Sequence, residues 1–300
     1  MKKILFATTA LIATAGMAAA DVKLSGYGRF GVIYVENANR EFSITSRFRL
    51  NVDVSTTADN GITFGGRVRL QGNSNANGTT TAPVFNAARF YATSGGLTVA
   101  VGNITGAIEQ MPYTYHGSIG LTGLGYANVG FGFNASMYDS ATPAGGYATG
   151  LEVIYKADMF TLHASYDDPV GGGIGQQQRI AVAASGTFSG YTIALAYQDS
   201  NFGPDSEFLA TVAGEVGPAT LSANYTRNHA DQDMFTVAAE ADVAAATSIQ
   251  AFFAYDESQV TEEAFGIGFH HNLGGGASLR GGAVSRHGTT VADFGVLFNF

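Results

Sequence analysis

From Phe42 onward the chain alternates. Phe42, Ile44, Phe48, Leu50, Val52 and Val54 share one parity, and Ser43, Thr45, Arg47, Arg49, Asn51, Asp53 and Ser55 share the other. After a turn at 57–60 the pattern resumes, with Ile62, Phe64, Val68 and Leu70 against Thr63, Arg67, Arg69 and Gln71. Successive side chains leave a pleated strand on opposite faces, so a period of two predicts strands. Each of these strands has an apolar face and a polar one, and the polar faces together hold four arginines. A water-soluble sandwich cannot bury unpaired arginines, and its apolar faces would still need a cover. A closed barrel with lipid outside and water inside satisfies both demands.

The same reading predicts strands at 22–35, 86–94, 97–102, 118–125, 131–138, 147–157, 160–166, 179–186, 191–197, 207–214, 219–226, 234–241, 248–255, 264–271, 277–286 and 290–300. With the opening pair the count is eighteen, and sixteen if one hairpin is miscounted. The fold class is all-β: a transmembrane, antiparallel, up-and-down barrel of 16–18 strands. Tight links alternate with longer polar ones such as 167–178 and 256–263, as expected of short turns at one end and loops at the other. A stretch rich in Asn, Gly and Thr, 72–85, reads as a loop. Segment 103–117, NITGAIEQMPYTYHG, alternates poorly and contains Pro112, which marks it as a long functional loop. Strands that enter the longer links tend to end in tyrosine: Tyr34, Tyr138, Tyr166, Tyr197, Tyr225 and Tyr255. Tyrosine settles where acyl chains meet head groups, so the repetition predicts a girdle, although Tyr138 has the wrong parity for it. The alternation that finishes in Phe300 suits a last strand closing on the first.

Composition adds a leader. Lys2 and Lys3, an apolar run over 4–17 and Ala18-Ala19-Ala20 read as a secretory signal peptide over 1–20, with the barrel in 21–300. Losing the two leader lysines leaves thirteen basic against twenty-four acidic residues, so the net charge moves from −9 to −11. That balance excludes nucleic acid as a partner. With no cysteine, disulfides, zinc–thiolate sites and thiol catalysis are excluded. Beyond the leader, no run of apolar residues is long enough for a membrane helix, yet 46% of residues are hydrophobic and only 13% charged. Lipid-facing strands account for that mixture.

The candidate site is a basic wall. Arg29, Arg47, Arg49, Arg67, Arg69 and Arg89 lie on the lumen parity of the first four strands, and Arg280 and Arg286 extend the arc through barrel closure. Crowding of like charge is costly, which favours a functional purpose over mere solvation of a polar face. Chemistry-bearing patterns are weak by comparison. Gly26-Tyr-Gly28-Arg-Phe-Gly31 has dinucleotide-motif spacing but opens no helix. His163 and His270 face the lumen, yet no motif selects a serine, so an outer-membrane lipase is a remote alternative. The Asp167-Asp168 pair lacks calcium-loop spacing, and the neighbours His270 and His271 diverge on a strand, so no metal or cofactor is expected.

The leader followed by Asp21-Val-Lys-Leu-Ser-Gly-Tyr-Gly-Arg29 resembles the start of Gram-negative general diffusion porins, nearest the Rhodobacter-type group. So do Ser46-Arg47-Phe-Arg49, the run Thr56-Thr-Ala-Asp-Asn-Gly61-Ile-Thr-Phe64, and the end from Leu273 to Phe300. The resemblance implies a homotrimer of sixteen-stranded barrels in outer-membrane lipid and lipopolysaccharide of a Gram-negative bacterium. Each barrel would pass ions and small hydrophilic solutes passively, with a third external loop folded inward. Glu109 would then face the arginines across the narrowest water, while Tyr113, Tyr115 and His116 narrow it by bulk. Such loops usually carry several acids and this one has only Glu109, so a weak transverse field and a basic-leaning constriction are expected. A substrate-selective channel and a non-conducting structural or adhesive barrel are the other readings.

Overall fold

The computed structural model describes residues 20–74, 80–124, 138, 150–168, 178–201 and 206–300. The leader, apart from Ala20, lies outside the described residues. Seventeen strand segments run in chain order: β1 (Asp21–Val35), β2 (Phe42–Thr57), β3 (Thr63–Ser74), β4 (Thr80–Phe85), β5 (Arg89–Ser94), β6 (Leu97–Gly102), β7 (Gly150–Lys156), β8 (Phe160–Asp167) and β9 (Arg179–Phe188). They continue as β10 (Tyr191–Ser200), β11 (Glu207–Val216), β12 (Ala219–Arg227), β13 (Asp233–Ala244), β14 (Thr247–Asp256), β15 (Glu263–Gly274), β16 (Ala277–Arg286) and β17 (Thr289–Asn299). Apart from β4 and β5, which both pair with β3, each pairs antiparallel with its neighbours in sequence, and β17 pairs with β1 from Asn299 opposite Tyr27 to Val291 opposite Val35. Gly26 N donates to Phe300 O at 2.9 Å, and Phe300 N returns a bond to Gly26 O at 3.1 Å. The sheet closes on itself through β1 and β17.

Among the described residues the segments fill sixteen positions, because β4 and β5 share one. β4 pairs with the upper part of β3 and β5 with its lower part. The break at residues 86–88 is satisfied locally: Asn86 N donates to Arg69 O at 2.9 Å, Arg69 N donates to Asn86 Oδ1 at 2.7 Å, and Asn103 Nδ2 donates to Ala87 O at 3.1 Å. The stretch 72–85, expected to be a loop, is therefore mostly strand, with only 75–79 outside the described residues. Polar Thr and Asn side chains there concealed the ladder.

The count of eighteen is corrected to sixteen at one place. β6 pairs directly with β7, Leu97 opposite Tyr155 through Gly102 opposite Gly150, which leaves no room for an intervening hairpin. Residues 118–124, expected as a strand, form turns inside the barrel, where Ile119 and Leu121 are fully buried. Their apolar content belongs to packing within the lumen, not to a lipid-facing strand. The partner expected at 131–138 lies outside the described residues except Tyr138.

Sidedness follows parity as expected. Val22, Leu24, Phe30, Val32, Phe42, Ile44, Ile180, Val182, Ile193 and Leu195 all point outward and stay exposed on the isolated chain, a continuous apolar belt. Five tyrosines (34, 166, 197, 225 and 255) lie on that outer parity near the long-loop end. Tyr166, Tyr197 and Tyr225 reach polar partners at the strand ends with their hydroxyls, at Asp168, Ser206 and Asp233. The tyrosine girdle is present without Tyr138, which sits in the lumen.

Candidate functional site

The inward face of β2 and β3 is built in rungs. Cross-strand register sets Arg47 opposite Asn73, Arg49 opposite Gln71, Asn51 opposite Arg69 and Asp53 opposite Arg67. In every rung the arginine Nε donates to its partner: to Asn73 Oδ1 at 2.6 Å, Gln71 Oε1 at 2.6 Å, Asn51 Oδ1 at 2.8 Å and Asp53 Oδ1 at 2.6 Å. Only the Asp53 rung is an ion pair, and a second bond, Arg67 Nη2 to Asp53 Oδ2 at 3.1 Å, makes it bidentate. β1 extends the lattice, placing Arg29 opposite Arg47 and Tyr27 opposite Arg49. Aromatic faces support the guanidiniums. Arg49 Cζ lies 5.1 Å from the Tyr27 ring centre and Arg69 Cζ lies 4.5 Å from that of Tyr138.

Arg29, Arg47, Arg49, Arg67, Arg69 and Arg89 thus share one arc, but they are not equivalent. Arg89 turns to the fully buried Glu152, at 2.5 Å, which also receives His163 Nε2 at 3.1 Å. Asp53 and Glu152 therefore neutralise one end of the wall, and the crowding of like charge is smaller than the arginine count suggests. Arg280 lies two positions beyond β1 on β16, beside His270 in register, and its Nε donates to Ser278 Oγ at 3.3 Å. It belongs to the same inward face but not to the rungs.

The loop that starts at Asn103 packs on the inner wall of the barrel in two places. Ala107, Ile108 and Met111 pack on an inward apolar patch, Ala181, Ala183, Ala194, Ala196 and Leu209. Further on, Ile119 and Leu124 pack on Ile33, Ala238, Phe252, Ala254, Ala264 and Val284. These inner walls are apolar because the loop, not water, touches them. Beside the second patch one carboxylate holds the loop backbone: Asp293 accepts from Leu121 N at 2.8 Å, Thr122 N at 2.7 Å and Thr122 Oγ1 at 2.7 Å. Arg29 Nη1 donates to Leu121 O at 3.1 Å from the other side. Four inward glycines make the space, since a Cβ on Gly31, Gly268, Gly282 or Gly295 would lie 2.6–3.2 Å from atoms of Ile119, Gly120 or Leu121.

Of the expected loop residues, Glu109 and Tyr115 are joined by a hydrogen bond from the Tyr115 hydroxyl. His116 is tied back to the barrel through Nδ1 and Ser222 Oγ at 2.6 Å, and Tyr113 packs edge-on against it at 5.6 Å. Burial pushes the Glu109 carboxyl above the usual range, opposed more weakly by the Tyr115 bond and the charge of Arg69. Glu109 therefore takes up its proton at a higher pH than a free carboxylate. Any stability linked to it is fullest in acid and falls as pH rises through the raised value. Its charge has the opposite dependence, so anion preference is expected to strengthen as pH is lowered from 7 toward 5. Reversal potentials across that range check this, and Glu109→Gln is expected to flatten the response.

Sequence reasoning missed Asp293, Tyr27, Tyr138 and the amide partners. Asp293 did leave a signal: a carboxylate on the lumen parity of an otherwise apolar strand, beside Gly295. Gly26–Gly31 lies within β1, so its dinucleotide-like spacing opens no helix.

Known proteins share this architecture. Residues 7–289 match the family described as Gram-negative porin. The porin of Fuscovulum blasticum is 29% identical over 293 residues, spanning 93% of this chain and all of that protein. The porin of Rhodobacter capsulatus is 28% identical over 316 residues, with the same coverage of each. A solved structure of a Rh. blastica porin mutant aligns with a TM-score of 0.82 at 28% identity, covering 93% of this chain and 100% of that one. With a closed barrel, an inward loop and relatives that are channels and not enzymes, the chain belongs to the Gram-negative porin family, the passive-diffusion channels of the outer membrane.

Proposed function

We propose that the rungs of β1–β3 and the docked loop together form the constriction of a general diffusion pore. Arg29, Arg47, Arg49 and Arg69 supply the basic wall, Glu109 and Tyr115 face it, and Arg67 and Arg89, each paired with a carboxylate, stand at its margins with Arg280, Tyr113 and His116. The observation that carries this reading is how the lumen is furnished: arginine rungs along β2 and β3, and a loop packed on inward apolar residues of β9–β11 and of β1 and β13–β16. Small hydrophilic solutes and ions pass through the remaining water. Width and lining charge set what passes, since a pore makes no bonds. In this reading residues 1–20 are a signal peptide, and the mature barrel works as a homotrimer in outer-membrane lipid and lipopolysaccharide.

Planar bilayers test it. Purified protein is expected to give large ohmic steps in groups of three, with neutral sugars passing without saturation. Neutralising Arg47, Arg49 and Arg69 together is expected to move the reversal potential in a salt gradient toward cation preference. Absence of conductance from folded protein would turn the reading toward an adhesive barrel, and an unchanged reversal potential would remove the wall from the mechanism.

A further inference from the structure

The four rungs of β2 and β3 repeat one geometry with two kinds of partner, and the difference is chemical. Where the partner is Asp53, the arginine charge is cancelled in place. Where it is Asn73 or Gln71, the hydrogen bond positions the guanidinium and leaves its charge whole. Arg49 shows this most fully. Its Nε is held by Gln71, its face lies on Tyr27, and no described residue accepts from either Nη. The adjacent Arg47 gives Nε to Asn73 and Nη1 to the Tyr27 hydroxyl at 3.2 Å, so the same phenol orients both groups. Alternate residues on one strand face lie about 7 Å apart. One tetrahedral oxyanion, accepting at about 2.8 Å from either side, spans that gap. Placing Arg29 directly opposite Arg47 concentrates positive charge further, an arrangement that disfavours the empty wall and favours an anion beside it. Carboxylates around the wall are engaged elsewhere: Asp53 with Arg67, Asp293 with the loop backbone, and Glu109 with the Tyr115 hydroxyl.

We propose that Arg47 and Arg49, held by Asn73, Gln71 and Tyr27, form a weak binding site for doubly charged tetrahedral oxyanions, namely phosphate and phosphomonoesters. The site rests on the reading of this face as the wall of a conducting pore, and it gives that pore a preferred class of solute. Occupancy is brief, because a site that conducts must also release. Gln71 is a positioning residue here, and the fork of Arg49 is the binding group.

Current through reconstituted wild-type trimers, measured with potassium phosphate at pH 8 against potassium chloride of equal ionic strength, tests the proposal. Phosphate current is expected to saturate, and low phosphate to reduce chloride current with the same half-saturating concentration. Gln71→Glu converts this rung to the charge state of the Asp53 rung and is expected to raise that concentration about tenfold. Arg49→Lys keeps the charge but loses the planar fork, and a severalfold rise is expected. The same added charge placed off the rungs, Thr192→Glu on β10, is expected to change it by no more than about twofold. Linear phosphate current in a conducting pore overturns the site and leaves the pore intact. So does Arg49→Lys binding phosphate as tightly as wild type, since a diffuse field would then suffice. Folded trimers that carry no current at all overturn both.

Discussion

Asp293→Ala is expected to raise single-channel conductance, add flicker to the open state and admit larger neutral polymers than the wild type. The carboxylate is buried and accepts three bonds from Leu121 and Thr122, two of them from backbone N–H groups. Hydrogen bonds to a charged group contribute about 1.5–3 kcal/mol each, and an orphaned buried donor costs about 1–3 kcal/mol. Removing the acceptor therefore withdraws several kcal/mol from one short turn, more than the Arg29 bond to Leu121 O can offset. The barrel itself should survive, because its ladders close independently of the loop. Asp293→Asn keeps the shape but offers one acceptor oxygen where two were used, so an intermediate conductance is expected. Polymer-exclusion measurements in bilayers check both. Conductance equal to wild type in both variants would mean that the apolar patches alone hold the loop.

The strands were legible because a lipid-facing surface favours apolar residues at every second position, a rule with few exceptions on the outer face. Phe42 to Val54 and Ile62 to Leu70 carried it plainly, and the parity of their arginines placed the wall on the inner face. The inner face has no such rule. Ala181, Ala183, Ala194 and Ala196 point inward and are apolar because Ile108 and Met111 cover them, and no local pattern distinguishes a loop-covered wall from a lipid-covered one. The same ambiguity made 118–125 read as a strand, when Ile119 and Leu121 are the apolar side of a turn. Register was equally out of reach. Asn51, Gln71 and Asn73 look like ordinary polar filler until β2 and β3 are aligned residue by residue, whereupon each lies opposite an arginine. Tyr138 had the wrong parity for the girdle, and that mismatch was the trace of its place beneath Arg69.

Filling the glycine shelf should act in the opposite sense to removing Asp293. Gly268 and Gly282 face each other across β15 and β16, and Gly295 and Gly31 across β17 and β1, directly beneath residues 119–121. At Gly268 a Cβ would lie 2.9 Å from Ile119 Cβ and 3.2 Å from Gly120 N, so even alanine requires a shift, and leucine a larger one. Overpacking of this kind costs about 1–3 kcal/mol, comparable to one of the bonds that hold the turn but less than all three together. The expected outcome of Gly268→Leu is thus a loop still tethered by Asp293 but pushed toward the arginine rungs. Conductance should fall, and the largest polymer admitted should shrink. Combining Gly268→Leu with Asp293→Ala removes the tether as well, and the loop should then leave the wall, taking conductance above that of Gly268→Leu alone. If the double variant instead conducts no better than the single one, the loop is wedged by contacts other than Asp293, and the shelf and the carboxylate are not the opposed pair that their geometry describes.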